Sequence, residues 1–189
     1  MSKNYTVLHL HSDMSNGVTN VDSVTKYQEY VARAKDLGMT ALAFSEHGCV
    51  FDWYGKKDEI EKSGMKYIHA AEFYITEKID LDQNNSPIKI RDNYHCLLIA
   101  KNYDGVREIN KLASKSFDRK NGHYFYAPRI TFDDLIGTSD NIIVSTACLG
   151  GILNRGTEEL QDRFLRFIVE NKHRCFLEIQ HHNVLDQKI

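Results

Sequence analysis

Between Gly38 and Gly48 the chain carries a short uncharged run, Thr40-Ala41-Leu42-Ala43-Phe44-Ser45. A continuous apolar stretch of this length is the mark of a strand covered on both faces, and such strands belong to sheets packed between helices. Segments of the same kind alternate with helical patterns along the chain. Strands are expected over residues 6–11, 40–45, 66–75, 93–100, 141–145 and 175–180. Asp22 or Ser23 caps a helix reaching residue 37, in which Val24, Tyr27, Val31 and Ala34 recur at helical spacing and Gly38 supplies the stop. Further helices are expected over 53–62, 103–117 (on Val106, Ile109, Leu112 and Ala113), 131–135 and 158–171. Residues 77–92 read as a hairpin extension or loop around an Asn-Asn-Ser-Pro turn signal. Strand–helix alternation over the whole length predicts an α/β architecture with a largely parallel sheet, whose ligand sites lie at the carboxyl ends of the strands.

With 189 residues, 42% of them hydrophobic, the chain is long enough for one full core. A net charge of -2 leaves no general basic footprint, so any grip on nucleic acid must be local or come from another segment. The opening Met-Ser-Lys-Asn-Tyr lacks an apolar signal run, and no segment approaches the roughly 18 apolar residues of a membrane span. A cytoplasmic protein without a membrane partner is expected. Cys49, Cys96, Cys148 and Cys175 are widely spaced without a C-x-x-C pair, and read as buried thiols or, in one case, a metal ligand.

The chemistry is concentrated in Val7-Leu8-His9-Leu10-His11-Ser12-Asp13. In an extended strand His9 and His11 project from one face while Leu8 and Leu10 bury on the other. Two imidazoles side by side at a strand end chelate a divalent transition metal; the plain alternative is two solvated histidines. His11, His47 and Cys148 fall at or just past expected strand ends, and Glu72 and His95 lie in strands that can point into the same mouth. Imidazoles, carboxylates and a thiolate together suit zinc, manganese or iron better than magnesium. Two or three such ions about 3.5–4 Å apart can acidify a bridging water, neutralise a phosphate and stabilise a leaving oxygen. Glu72 is the candidate bridge, having two oxygens to share.

The series His9-Leu10-His11-Ser12-Asp13, Ser45-Glu46-His47-Gly48, Ala71-Glu72-Phe73-Tyr74-Ile75, His95-Cys96-Leu97-Leu98-Ile99-Ala100-Lys101-Asn102 and Ser145-Thr146-Ala147-Cys148-Leu149-Gly150-Gly151 resembles the polymerase and histidinol phosphatase (PHP) domain family. More narrowly, it resembles the domain that opens the alpha subunit of bacterial DNA polymerase III, phage-encoded versions included. Residues 102–114 and Ala127-Pro128-Arg129-Ile130 fit the same pattern and are not needed for metal binding. The resemblance takes residues 1–189 as one PHP domain and implies a distorted seven-stranded, TIM-like β/α barrel. It implies two or three divalent ions in the complete domain, held by His9, His11, His47, Glu72, His95 and Cys148, with Glu72, His11 and His47 nearest the reaction. It also implies a role in DNA replication beside the rest of an alpha chain and the replisome, with DNA as partner. The parent would be a DNA-directed DNA polymerase, its PHP domain a phosphoesterase or 3′–5′ proofreading-type exonuclease. A free-standing phosphatase of the histidinol phosphatase type and a non-catalytic, metal-stabilised module are the alternatives.

Two departures accompany the resemblance. Where the family places an acidic or histidine ligand after the H-x-H, this chain reads Ser15-Asn16-Gly17, with Asn16 nearest. The family's late D-x-H pair does not occur before Ile189, nor does the polymerase palm. The chain is therefore expected to be an amino-terminal fragment with an open barrel edge, prone to marginal stability or dimerisation. His69 differs in parity from Glu72 and reads as packing or surface. His123 and His173 read as solvated, and His181 and His182 stay unassigned. The basic and aromatic stretch 115–129 is expected to be an exposed loop, open to single-stranded DNA, to solvent or to the polymerase body.

Overall fold

The computed structural model describes residues 5–18 and 22–180. Its elements in chain order are a 3-10 turn Asp13–Gly17, α1 Tyr27–Asp36, β1 Ala41–Phe44, α2 Trp53–Lys62, β2 Lys66–Thr76, β3 Tyr94–Ala100 and α3 Tyr103–Ser116. There follow β4 Tyr124–Phe125, β5 Ala127–Thr131, α4 Phe132–Ile136, β6 Ile142–Ser145, α5 Ile152–Arg155, α6 Glu158–Glu170 and β7 Cys175–Phe176. The strands form one mixed sheet ordered β4-β5-β2-β3-β6-β7, with β1 also paired to β2. No helix among the described residues is long and apolar enough to cross a membrane.

The organising strand is β2. Its first half pairs in parallel with β1 from Lys66 to His69, and its last residues pair in parallel with β5 from Tyr74 to Thr76. Along its other edge runs β3, antiparallel, with Tyr74 opposite His95. The period of two sorts the side chains. Ala71, Phe73 and Ile75 of β2, with Cys96 and Leu98 of β3, join the main core under α3, α4, α5 and α6. Ala70 with Leu97 and Ile99 faces the concave side instead. Glu72 and His95 share that concave parity. A second core packs α1 and α2 against Leu42 and Phe44 of β1. Each fully buried Phe, such as Phe73 or Phe164, contributes about 1.5–3 kcal/mol of burial free energy.

The expectation of a largely parallel sheet fails at β3, which is antiparallel to both β2 and β6. An apolar run reads the same in either direction, so its pattern carries no orientation. The consequence helps the site, because an antiparallel strand brings its amino end, and with it His95, to the carboxyl end of β2.

Other boundaries move for identifiable reasons. Residues 6–11 run beside β1 with only an isolated bridge, Val7 to Leu42, because the Leu10 N–H donates to the Ser45 hydroxyl instead of continuing the ladder. Leu8 is 40% exposed rather than buried. Helix α1 begins after Lys26, not after Asp22 or Ser23, and Val24 is exposed. The stretch expected as an exposed loop over 115–129 completes α3 and then folds into the β4–β5 hairpin. His123 and Arg129, read as solvated and exposed, are buried: Arg129 bonds the Ile90 and Asp92 carbonyls and pairs with the Asp92 carboxylate at 3.0 Å. Strand β7 is two residues long, since the Glu178 N–H turns to the Thr146 hydroxyl. The other edge of the molecule stays open: Phe176, Leu177 and Ile179 are exposed, and a cavity of about 1290 Å³ lies between residues 5–9 and 176–180, floored by Leu97 and Ile99.

Candidate metal centre

Glu72 is wholly buried at the centre of the concave mouth. Its Oε1 lies 3.3 Å from His9 Nε2, 3.1 Å from His95 Nδ1 and 3.6 Å from Cys148 Sγ. Its Oε2 lies 3.4 Å from His11 Nε2 and 2.7 Å from His47 Nδ1. Local backbone explains how each group arrives. His47 follows β1 and bridges Glu72 in parallel, the Glu72 N–H donating to the Glu46 carbonyl. Gly48, at φ +59, turns the chain away where a Cβ would meet Pro128 Cγ at 2.8 Å. Cys148 follows Ala147, which holds φ +58, and the Gly150 N–H donates to its sulfur at 3.3 Å. A Cβ at Gly150 would lie 2.9 Å from His95 Nδ1, so only glycine leaves room for that ring. The rings pack closely, with His11 and His47 stacked at 4.0 Å.

Three overlapping groups could each hold an ion: His9, His11 and Glu72; His11, Asp22 and His47; and His47, Glu72 and His95. Tetrahedral ligands at about 2.0–2.1 Å from zinc stand about 3.3 Å apart, and the Glu72 contacts of 3.1–3.4 Å match that spacing. The buried atoms His47 Nδ1 and Glu72 Oε2 have each other as close partner, at 2.7 Å, and no backbone donor or acceptor beside them. The donor set of imidazoles, carboxylates and a thiol therefore fits one or more divalent transition ions.

Two carboxylates in the cluster were not among the expected residues. Asp22 Oδ2 lies 3.2 Å from His47 Nε2. It occupies the place expected of Asn16, whose amide instead accepts from the Asp22 N–H and donates to the Ser23 carbonyl, shaping the loop that presents Asp22. An acidic residue eleven positions past His11 was the available signal, masked by its reading as a helix cap. Glu178 Oε1 lies 2.6 Å from His9 Nδ1, and its other oxygen accepts from the Ser145 hydroxyl. A carboxylate on the far side of a ligating imidazole fixes its tautomer and orientation. His181 and His182 lie outside the described residues.

The electrostatics follow from burial and crowding. Burial opposes charge on Glu72, yet His47, His9 and His95 outweigh it and hold the carboxyl well below its usual range. Burial also works against a charged His9, but Glu178 and Glu72 on its two nitrogens raise it to about 10. Burial and then the neighbouring His47 lower His11 to about 4. The Cys148 thiol is pushed up to about 11 by burial and by Glu72.

A separate buried network braces the mouth. Glu46, 1% exposed, accepts from the Ser12 N–H, the Ser12 and Ser15 hydroxyls and Lys56 Nζ. It ties the turn after His11 to the strand end before His47. His69 is far from this chemistry in role: buried on the opposite face, it accepts from the Tyr67 hydroxyl and donates to Asn110. His173 is exposed beside Asp140, and all four cysteines are free.

Comparison with known proteins adds the family. The family model described as PHP domain matches residues 8–182. The DNA polymerase III subunit alpha of Aquifex aeolicus is 31% identical over 201 residues, covering 100% of this chain and 16% of its own length. That of Borreliella burgdorferi is 30% identical over 187 residues, covering 96% and 16% respectively. The chain thus spans about a sixth of these relatives. A solved structure named as a metal-dependent phosphoesterase, from Bifidobacterium adolescentis, superposes with a TM-score of 0.50 at 13% identity, over 87% of this chain and 74% of its own. That likeness concerns the fold.

Proposed function

The chain belongs to the PHP domain family, and from that premise we propose that its concave mouth is a multinuclear metal site for phosphoester hydrolysis, working on DNA within a polymerase III alpha chain. The observation that carries the proposal is the sharing of Glu72 among five side chains of metal-ligating type, both of its oxygens engaged and no lysine or arginine among them. A ligand set of His9, His11, His47, Glu72, His95 and Cys148, extended here by Asp22, would hold zinc, manganese or iron. Such ions supply positive charge that polarises a phosphoester and acidifies water.

The chain's own residues do the rest. Glu72 lies between the two halves of the cluster and offers one oxygen to each. Glu178 holds His9 in one orientation, and the Glu46–Lys56 network keeps His11 and His47 in register. Residues 1–189 act as one domain, and DNA, the remainder of an alpha chain and the replisome are the partners this reading assigns. A 3′–5′ exonuclease is the favoured activity, since the relatives by name are DNA polymerase III alpha subunits, for which a DNA strand is the phosphodiester at hand.

The test is metal content by plasma mass spectrometry on protein purified without chelator, with a His9→Ala/His11→Ala variant alongside, followed by assays on 3′-labelled DNA and a model phosphodiester. Stoichiometric transition metal that the variant loses, with metal-dependent release of 3′ nucleotides, is expected. Absence of metal from both proteins overturns the site. Metal that stabilises folding without hydrolysing either substrate would select a structural module instead.

A further inference from the structure

The β4–β5 hairpin carries a set of side chains that the metal chemistry does not use. The Arg91 guanidinium lies 3.9 Å over the ring of Tyr126, and that of Arg119 lies 4.1 Å over the ring of Tyr124. Lys89 Nζ stands 6.0 Å from the Phe125 ring. Tyr126 is 63% exposed, and Phe51 and Phe117 extend the aromatic row from Tyr124 in steps of about 6 Å. Lys89, Arg91, Arg119 and Lys120 are exposed and join no ion pair among the described residues. Their neighbours Lys115 and Arg129 are paired, with Asp134 and Asp92. Three unneutralised cations, Lys89, Arg91 and Arg119, each against a ring of the hairpin, form on a chain of net charge -2 the local basic footprint that overall composition lacks.

Tyr126 also holds φ +62, a left-handed conformation that costs a residue with a Cβ about 1–2 kcal/mol. Glycine or asparagine would make this turn more cheaply, but neither offers a ring. The hairpin adjoins the mouth at its root. Arg129 stands opposite Tyr74 in the sheet, the Tyr74 ring stacks 5.7 Å from His47, and Pro128 packs against Gly48.

We propose that this hairpin binds a single nucleic-acid strand, with Tyr124 and Tyr126 stacking bases and Lys89, Arg91 and Arg119 contacting phosphates, so that one end of the strand reaches the Glu72 cluster. Each tyrosine already has a guanidinium against its ring, and bases stacking on the exposed Tyr126 ring and the half-exposed Tyr124 ring extend that row. The direction toward the cluster rests on the proposed phosphoesterase reading; the binding itself does not.

The experiment is fluorescence anisotropy with a labelled oligothymidylate of about 15 nucleotides, long enough for a single-strand site, with phosphorothioate linkages at its 3′ end to block turnover. An abasic strand of equal charge serves as the control. Saturable binding is expected, with the abasic strand at least tenfold weaker. Tyr124→Ala/Tyr126→Ala should lose at least about tenfold in affinity, because stacking contributes about 1–3 kcal/mol per base. Arg91→Gln/Arg119→Gln should reduce the slope of log K against log salt by about 1.4, from about 0.7 per phosphate contact. Circular dichroism establishes that each variant is folded. Equal binding of the abasic strand, parental affinity in the tyrosine variant or absence of saturable binding overturns the proposal and leaves the hairpin as a protein-contact surface. Since no turnover is read, a failure of hydrolysis elsewhere does not alter this result, and a failure here leaves metal content untouched.

Discussion

Replacing Lys56 by methionine keeps the length of the side chain and removes its charge from a place where water cannot substitute. Lys56 and Glu46 are 2% and 1% exposed, and their ion pair measures 2.7 Å. Breaking a buried pair by removing one partner costs about 3–5 kcal/mol, because the other charge is left uncompensated. The lost bond from Lys56 Nζ to the Phe51 carbonyl adds about 1 kcal/mol. Against a total stability of about 5–15 kcal/mol, that is about a quarter or more of what holds the fold. Lys56→Met should therefore lower the urea midpoint sharply at pH 8. The cost should shrink toward pH 5: without Lys56, burial raises the Glu46 pKa above its unfolded value, and stability is then present below the unfolded pKa and lost as pH rises. Glu46→Gln/Lys56→Met, with no buried charge, should be more stable than Lys56→Met alone. Urea titrations followed by circular dichroism at pH 5 and pH 8 read all three proteins. A Lys56→Met variant within about 1 kcal/mol of the parent at both pH values, or a double variant less stable than the single one, would refute the reasoning.

Burial lowers His69 from 6.5 to about 4. Its folded form thus binds fewer protons than the unfolded chain between those values, so stability falls as pH drops through that window, by at most about 3 kcal/mol. A His69→Gln variant should show a flatter pH dependence over that range in thermal melts, and an unchanged slope contradicts the assignment. Glu178→Gln should weaken metal uptake about 10–100-fold while leaving the ligands in place, read by competition with a chromogenic chelator; parental affinity removes Glu178 from the site. The open edge beside Leu177 and Ile179 should give concentration-dependent self-association in sedimentation velocity. Leu177→Lys/Ile179→Lys should suppress it, and dimers that persist in the variant locate the contact elsewhere.

Much of the fold was legible because burial imposes periods. The β2 alternation separates Phe73 and Ile75 from Glu72, and helix α2 begins and ends where its pattern does. Direction was not legible, since β3 buries the same residues whichever way it runs. In the candidate site the other five expected residues lie around the Glu72 carboxylate, as strand parity and strand-end position allowed. Asp22 and Glu178 escaped for different reasons. The first competes with an equally good reading as a helix cap, and the second sits where β7 gives up its ladder for a side-chain bond. Arg129 was misjudged because a cation in a basic stretch looks solvated until the carbonyls that enclose it, from residues far away in sequence, are known.

The pairing of His9 with Glu178 spans 169 positions, and that of Glu72 with Cys148 spans 76. Closing a loop of the first length costs about 2.5 kcal/mol more entropy than closing one of about ten residues, and such distant contacts form late in folding. A chain emerging from the ribosome can therefore shape β1 and β2 early while His9 still lacks the group that orients it. If the cluster holds an ion as proposed, the orientation that Glu178 gives His9 is supplied only after residue 178 has been made and docked.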